Sequence, residues 1–344
     1  MRLAALVISH NSVEDLPGCL RALSAHAGEF SGGILVVDNA SSDGSQDAVR
    51  RVPGVRLAAN RANYGFAAAV NQGFEALHSA DAVLLLNPDA HLESPPSLLA
   101  AELEDGRVAA AGGQLVDREG RPQTGFQVRR FPTPAALAFE VMGVNRLWPR
   151  NPVNQRWRAL DMDPAAPALV EQPAAACLLI RRRAWLDLGG FDEGFFPLWF
   201  EDVDFLRRAC ARGWLIRYNP HFRAAHRGAH SVAKVSWRDR QLYWYGSLLR
   251  YSSRHFGLQG RWLVGWAVVF GSVMRLVMGI ITERSSRGVG VYGRVMRLAF
   301  LSLWRDTAGE DGPRRTTRQV AIEDCGPFGS GKSQEGNRQS AHGF

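Results

Sequence analysis

Over the first 230 residues, short apolar runs bounded by turn residues alternate with segments whose apolar positions repeat at helical spacing. Leu3–Ile8, Ile34–Val37, Val55–Ala58 and Ala82–Leu86 show no polar alternation and read as strands buried on both faces, as in a parallel sheet. Leu16–Ala27, Ser45–Val52 and Phe66–His78 read as the intervening helices, the second with Asp43-Gly44-Ser45 at its N-cap. This alternation predicts a doubly wound α/β fold. The N-terminal run reaches Ser9-His10-Asn11 too soon for a signal peptide and reads as the first strand. After Phe131-Pro132-Thr133-Pro134 the pattern loosens. It recovers in a strand at Ala174–Ile180, a loop at 188–196, a helix opening near Glu201 and a last strand at Trp214–Tyr218. The expected organisation is an α/β domain over 1–232, a helical extension over 233–306 and a disordered, apolar-poor tail over 307–344.

Ligands of doubly wound sheets bind beyond the carboxyl ends of the strands. Those ends are polar here: Ser9-His10-Asn11-Ser12, then Asp38-Asn39-Ala40-Ser41-Ser42-Asp43, then Asn87-Pro88-Asp89. One polar strand end is ordinary turn chemistry. Three on one sheet edge point to a shared ligand.

Composition narrows the class. With 46% hydrophobic and 22% charged residues among 344, the chain is neither disordered nor collagen-like nor a polytopic membrane protein. Cys19, Cys177, Cys210 and Cys325 are scattered without a C-x-x-C pair, so neither a zinc site nor a disulfide framework is expected. The net charge of +8 is uneven. Residues 1–230 hold 24 basic and 25 acidic groups, whereas 231–306 hold 12 basic and three acidic. The same basic stretch contains the apolar run Trp262–Ile281, interrupted by Gly265, Gly271, Ser272, Arg275 and Gly279. A basic, aromatic and apolar segment suits an anionic lipid surface better than nucleic acid, whose phosphate-tracking grooves need no such run. A helix lying in the cytoplasmic leaflet is therefore expected for 258–306, with a bilayer span or a helix packed on the domain or on a second copy as alternatives. Gly326-Pro327-Phe328-Gly329-Ser330-Gly331-Lys332-Ser333 fits the P-loop pattern letter for letter, but it lacks the strand–loop–helix setting that gives the pattern meaning and reads as a chance match.

Five segments, taken in order, resemble the family-2 inverting glycosyltransferases of GT-A fold, and among them bacterial rhamnosyltransferases of cell-envelope polysaccharide assembly. They are the first strand with Ser9-His10-Asn11; Val36-Val37-Asp38-Asn39-Ala40-Ser41-Ser42-Asp43-Gly44-Ser45; Asn63-Tyr64-Gly65-Phe66 through Asn71-Gln72-Gly73; Leu86-Asn87-Pro88-Asp89; and Phe200-Glu201-Asp202-Val203-Asp204 followed by His226. The resemblance covers about 1–232 and implies an enzyme that moves a sugar from a dTDP- or UDP-sugar to a lipid-linked or glycan acceptor. Rhamnose from dTDP-rhamnose leads, with a UDP-hexose donor or a non-catalytic nucleotide- or nucleic-acid-binding module as alternatives. Such an enzyme would be peripheral on the inner face of the cell membrane, and a homo-oligomer is allowed. Asp202 is implied as general base. Asp89 and His226, with His230 as a second candidate, are implied as ligands of Mg2+ or Mn2+; Asn87 stands where relatives often carry a first aspartate. Asp38 is implied as acceptor for the N3–H of a pyrimidine base. Ser9, Asn11, Asn39, Asn63, Gly65, Asn71, Asn87, Asp89 and Glu201 are expected to line the nucleotide-sugar site. Gly65 and the following alanines would let the backbone and the helix N-terminus approach the diphosphate.

Overall fold

The computed structural model of the chain describes residues 1–228, 235–283, 287–304 and 322–326. The N-terminal half runs β1 (Leu3–Ser9), α1 (Leu16–Ala25), β2 (Ile34–Asp38), α2 (Ser45–Arg50), β3 (Val55–Ala59), α3 (Phe66–Ala76), β4 (Ala82–Leu86), β5 (Ala90–Leu92), α4 (Ser97–Glu102), β6 (Val108–Val116) and β7 (Val128–Arg129). Then follow α5 (Pro134–Val141), α6 (Val144–Leu147), α7 (Pro152–Trp157), β8 (Ala168–Leu169), β9 (Gln172–Pro173), β10 (Cys177–Arg181), α8 (Arg182–Leu188), α9 (Glu201–Ala211) and β11 (Leu215–His226). Three long helices, α10 (Trp237–His255), α11 (Leu258–Glu283) and α12 (Arg287–Trp304), precede a short strand β12 (Ile322–Asp324).

The main sheet has the order β12-β3-β2-β1-β4-β10-β6-β11-β5. β3, β2, β1 and β4 are mutually parallel, so their carboxyl ends form one edge. β10 runs antiparallel between β4 and β6. One face buries Leu16, Leu20, Leu23, Val49 and Leu99 of α1, α2 and α4. The other buries Val70, Phe74, Trp185, Phe205 and Leu206 of α3, α8 and α9. Gly73 is part of that packing: a Cβ there would lie 2.3 Å from Leu6 Cδ1, so the small residue lets α3 sit directly on β1.

Two strands depart from the sequence reading. β6, Val-Ala-Ala-Ala-Gly-Gly-Gln-Leu-Val, was not expected, because its small residues carry little β signal. They are required by crowding, since a Cβ on Gly113 would sit 2.2 Å from Phe222 and one on Gly112 2.6 Å from Pro173. The last strand does not stop at Tyr218. It passes Pro220 through a register shift against β6 and continues to His226, and proline is tolerated in a sheet at such irregularities.

The helical extension is not a separate appendage. α5, α10, α11 and α12 share a third core that includes Leu137, Tyr245, Leu248, Val264, Val268 and Val295 and reaches Phe195 and Val203 next to α9. Buried ion pairs lock α10 in place: Arg250 to Asp192 at 2.7 Å, Arg254 to Asp204 at 3.1 Å and His255 to Asp204 at 2.8 Å. Gly194 makes room for this lock, because a Cβ there would meet the Arg250 guanidinium at 2.2 Å. Arg275, the mid-helix charge of α11, hydrogen-bonds the Val141 carbonyl at the end of α5. The expected tail disorder does not hold at 322–326. There β12 pairs antiparallel with the edge strand β3, and Glu323 bonds Arg50 at 2.9 Å. The P-loop-like stretch, apart from Gly326, lies outside the described residues, as does His230.

Candidate active site

The β11–β5 register places His226 opposite Ala90, one residue beyond Asp89. The His226 Nε2 and Asp89 Oδ1 lie 3.6 Å apart, and both residues are buried. Gln123 fixes the histidine at two points. Its Nε2 donates to the His226 carbonyl at 2.6 Å, so its Oε1, 3.0 Å from Nδ1, must be the acceptor there. Nδ1 therefore carries the ring proton, and Nε2 turns a lone pair toward Asp89. Burial holds the imidazole below its usual pKa, against the pull of the Asp89 charge. Two lone-pair atoms face each other with no proton between them, an arrangement that accepts a divalent cation. Among the described residues no third His, Cys, Asp or Glu joins them. A cation there would draw its remaining ligands from water or a substrate phosphate. Phe126 stacks on His226, ring centroids 5.2 Å apart and planes within 8°.

Glu201 and Asp202 open α9, and the preceding Trp199 and Phe200 have φ of 78° and 70°, a left-handed conformation that costs non-glycine residues on the order of 1–3 kcal/mol each. Asp202 accepts from the Val203 N–H at 2.9 Å and lies against the Ala175 N–H. The next residue, Ala176, accepts from the Asn87 N–H at 2.9 Å. The Ala175-Ala176 step is therefore bonded at Ala176 to the Asn87–Asp89 turn and at Ala175 to Asp202. Burial raises the Asp202 pKa, opposed by those N–H groups and by the Arg129 charge. Glu201 is raised much further, by burial and then by the Asp202 charge, and its Oε2 is buried without a partner. Ser9 Oγ at the end of β1 is likewise buried and unpartnered, and the part-exposed Asn87 side chain makes no hydrogen bond among the described residues.

The other expected site residues are engaged elsewhere. Asp38 has no exposed surface, and its carboxylate accepts from Ser41 N (2.9 Å), Ser41 Oγ (2.5 Å) and Gln46 Nε2 (2.8 Å). These bonds close a side-chain turn that shapes the β2–α2 loop. Asn39 donates to the Gly65 carbonyl at 3.1 Å and accepts from Asn60, which also donates to Gln72 at 2.9 Å. Asn11 Oδ1 accepts from Ser42 N at 2.9 Å. Asn63 caps the Gly65 N–H at 2.9 Å, and Asn71 clamps the Phe191 backbone at both N–H and C=O, each at 3.0 Å. At the start of α3 one backbone N–H is already engaged. The Phe66 N–H donates to Pro197 O at 2.7 Å, and Gly65 (φ 85°) is needed because a Cβ would lie 2.9 Å from Phe196. Sequence reasoning missed Gln123 and Arg129.

An α/β sheet with this strand order, a carboxylate–imidazole pair at one strand end and a carboxylate at a facing helix start define a nucleotide-sugar transferase fold. The family model for glycosyl transferase family 2 matches residues 5–165. The N-acetylglucosaminyl-diphospho-decaprenol L-rhamnosyltransferase of Mycobacterium tuberculosis is 30% identical over 283 residues, covering 73% of this chain and 89% of that protein. Rhamnosyltransferase WbbL of Escherichia coli is 26% identical over 184 residues, 53% of this chain and 65% of that one. Among solved structures, S. aureus TarS 1–349 in complex with UDP superposes with a TM-score of 0.51 at 14% identity, covering 88% of this chain and 81% of that one. GalNAc-T7 with UDP, GalNAc and Mn2+ gives 0.50 at 14% identity, over 74% of this chain and half of that longer one. The chain belongs to glycosyl transferase family 2, has the GT-A fold, and is a glycosyltransferase.

Proposed function

We propose that the protein transfers L-rhamnose from dTDP-rhamnose, with inversion, to a sugar carried on a polyprenyl diphosphate. What supports this reading is that Asp202 and the turn carrying Asp89 are both hydrogen-bonded to the Ala175-Ala176 step, with His226 3.6 Å from Asp89. The acceptor class follows the Mycobacterium tuberculosis relative, whose name specifies a diphospho-decaprenol acceptor and L-rhamnose. Inversion requires one displacement, with the acceptor hydroxyl opposite the leaving diphosphate. Asp202 takes that hydroxyl's proton as the new bond forms. Its position at a helix start favours the ionised form, while burial brings its basicity closer to the working pH. Glu201, its pKa raised far more by burial and the Asp202 charge, is shifted toward the protonated form, which has a donor to offer a sugar hydroxyl. Asp89 Oδ1 and His226 Nε2 would hold the divalent ion, and a mixed oxygen–nitrogen set suits Mn2+ better than Mg2+. When bound, the ion would neutralise charge growing on the departing diphosphate. Ser9 and Asn87, with polar atoms uncommitted at adjacent strand ends, are assigned to the nucleotide. The TarS complex with UDP keeps a UDP-sugar donor as a second reading, which a thermal-shift comparison of dTDP- and UDP-sugars with Mn2+ decides.

Gln123 is expected to govern metal affinity through His226. Gln123→Leu frees the ring to rotate and removes the Nδ1–H acceptor, so Mn2+ affinity measured by EPR of free Mn2+ with nucleoside diphosphate present should fall by roughly 10–100-fold. An unchanged titration would show that the amide does not set the ligand.

We also place the enzyme on a membrane surface. α11 contains the one described segment long and apolar enough to cross a bilayer, Leu258–Ile281. One of its faces is packed against α5 and α12, and Arg275 is tied to Val141 there, an arrangement suited to lying on a bilayer rather than through it. Its other face exposes Phe270, Met274, Met278 and Ile281 at helical spacing. Because Val264 and Val268 belong to the shared core, deleting 258–306 would unfold the protein rather than merely release it. Phe270→Ser/Met274→Ser/Ile281→Ser is the appropriate variant. With large apolar side chains contributing about 1.5–3 kcal/mol each on full burial, co-flotation with phosphatidylglycerol vesicles should drop roughly 100-fold or more. Equal flotation of variant and parent would remove α11 from the interface.

A further inference from the structure

Arg129, whose charge acts on Asp202, and Arg158, whose charge acts on Arg129, are two guanidinium groups that the transfer reaction does not use. The β7–β9 register sets Arg129 opposite Gln172, three residues before the Ala175 N–H that faces Asp202. Arg129 Nε donates to the Gly125 carbonyl at 2.8 Å, and its guanidinium carbon is 5.7 Å from the centroids of both Phe126 and Trp157. The Arg158 guanidinium lies 5.8 Å from the same Trp157 ring, held by Nε to Asn154 Oδ1 at 3.1 Å. The Arg130 N–H bonds the Trp157 carbonyl at 2.9 Å, fixing the two segments side by side.

Among the described residues neither Arg129 nor Arg158 has a carboxylate within 4 Å, although neighbouring arginines do: Arg130 pairs with Asp161 at 2.6 Å and Arg208 with Asp204 at 2.8 Å. Glu140, one of the two acids whose charges act on Arg129, is engaged by Asn145 Nδ2 at 2.8 Å. The indole N–H of Trp157, whose ring lies near both guanidinium groups, is buried with no acceptor among the described residues. Burial, and then the charge of Arg158, push the Arg129 pKa down to about 10, against the opposing charges of Glu140 and Asp202. Two guanidinium groups and an indole N–H gather here, while the Gly125 carbonyl and the Asn154 amide oxygen each take up a single Nε–H, a donor excess that suits an anion. Planar guanidinium forks match phosphate oxygens.

We propose that Arg129, Arg158 and the Trp157 N–H form a subsite for the diphosphate of the acceptor, which orients the acceptor sugar's hydroxyl toward Asp202. The proposal rests on the transferase reading above. The donor's diphosphate belongs to the Asp89–His226 side. Phe126 separates the two places, one ring touching both His226 and Arg129.

The test uses the full chain. In metal-free buffer with EDTA, inorganic diphosphate is titrated by calorimetry against the parent, Arg158→Met and, as a control on an exposed arginine elsewhere, Arg146→Met. Loss of a charge-assisted contact predicts weakening by roughly tenfold or more for Arg158→Met and none for the control. In parallel, rates are compared on an acceptor sugar joined to a short prenyl chain through a diphosphate and on the same sugar as a simple alkyl glycoside. Arg158→Met should raise KM roughly tenfold for the first only, and Arg158→Lys should recover part of that loss. No diphosphate binding by the parent, equal binding by Arg158→Met, or equal loss on both acceptors overturns the proposal. So does a rise in donor KM with acceptor KM unchanged, which would give the arginines to the donor. If the protein transfers no sugar, the transferase reading fails, and the calorimetric titration still decides whether the anion site exists.

Discussion

Asp202→Asn is expected to lower the transfer rate by roughly 10²–10⁴-fold, the usual contribution of a positioned general base. Donor affinity should stay within a few-fold of the parent. Asparagine has nearly the same shape and keeps an oxygen for the Val203 and Ala175 N–H groups, so the start of α9 should survive. It cannot take a proton. The pH profile provides a second readout: because burial raises the Asp202 pKa above its usual 3.8, the acid limb of kcat/KM should lie above that value. In Asp202→Asn the residual activity should lack that limb. Glu201→Gln separates the neighbours. It preserves a donor where Glu201 is protonated and should retain far more activity than Asp202→Asn. The opposite ranking would move the base to Glu201.

The second large effect is on stability. Asp204 has no exposed surface and binds Arg208, Arg254 and His255 at once. Asp204→Ala leaves the Arg208 and Arg254 guanidinium groups and the His255 ring without their common partner, and breaking a buried pair by removing one member costs about 3–5 kcal/mol. A urea titration should show a lower midpoint for the whole molecule, since the same residue joins α9 to α10. If α10–α12 were an independent appendage, the sheet would keep its own midpoint and only the helices would melt early. The effect depends on pH in a defined direction. Burial alone would raise the carboxyl pKa, but the His255 hydrogen bond and the charges of Arg208 and Arg254 outweigh it and bring it to about 2. A depressed carboxyl stabilises the fold fully above its unfolded value, 3.8, and that contribution disappears as pH falls toward about 2. The gap between parent and variant should therefore be full at neutral pH and narrow in strong acid.

What could be read from one dimension was set by which physical signals are local. β1–β4 were legible because continuous apolar runs have few other homes. β6 was not, since its alanines and glycines report crowding by Phe222 and Pro173, neighbours far along the chain. The polar strand ends were visible, but Asp38, Asn39, Asn63 and Asn71 serve turns and clamps, the same chemistry a ligand would use. Only side-chain partners separate the two roles. Gln123 and Arg129 were invisible because their meaning lies in what they touch, His226 and the surroundings of Asp202. The apolar character of α11 was plain in the sequence, whereas the attachment of Arg275 to Val141, which decides the helix's orientation, required the packed structure.

The most direct test of the account is the anomeric configuration of the product, determined by NMR after incubation with dTDP-rhamnose, Mn2+ and a diphosphate-linked acceptor. Inversion relative to the donor, with no product when the metal is chelated, is the expected result. Retention of configuration, or full turnover in EDTA, would contradict a single displacement driven by Asp202 across from the Asp89–His226 pair.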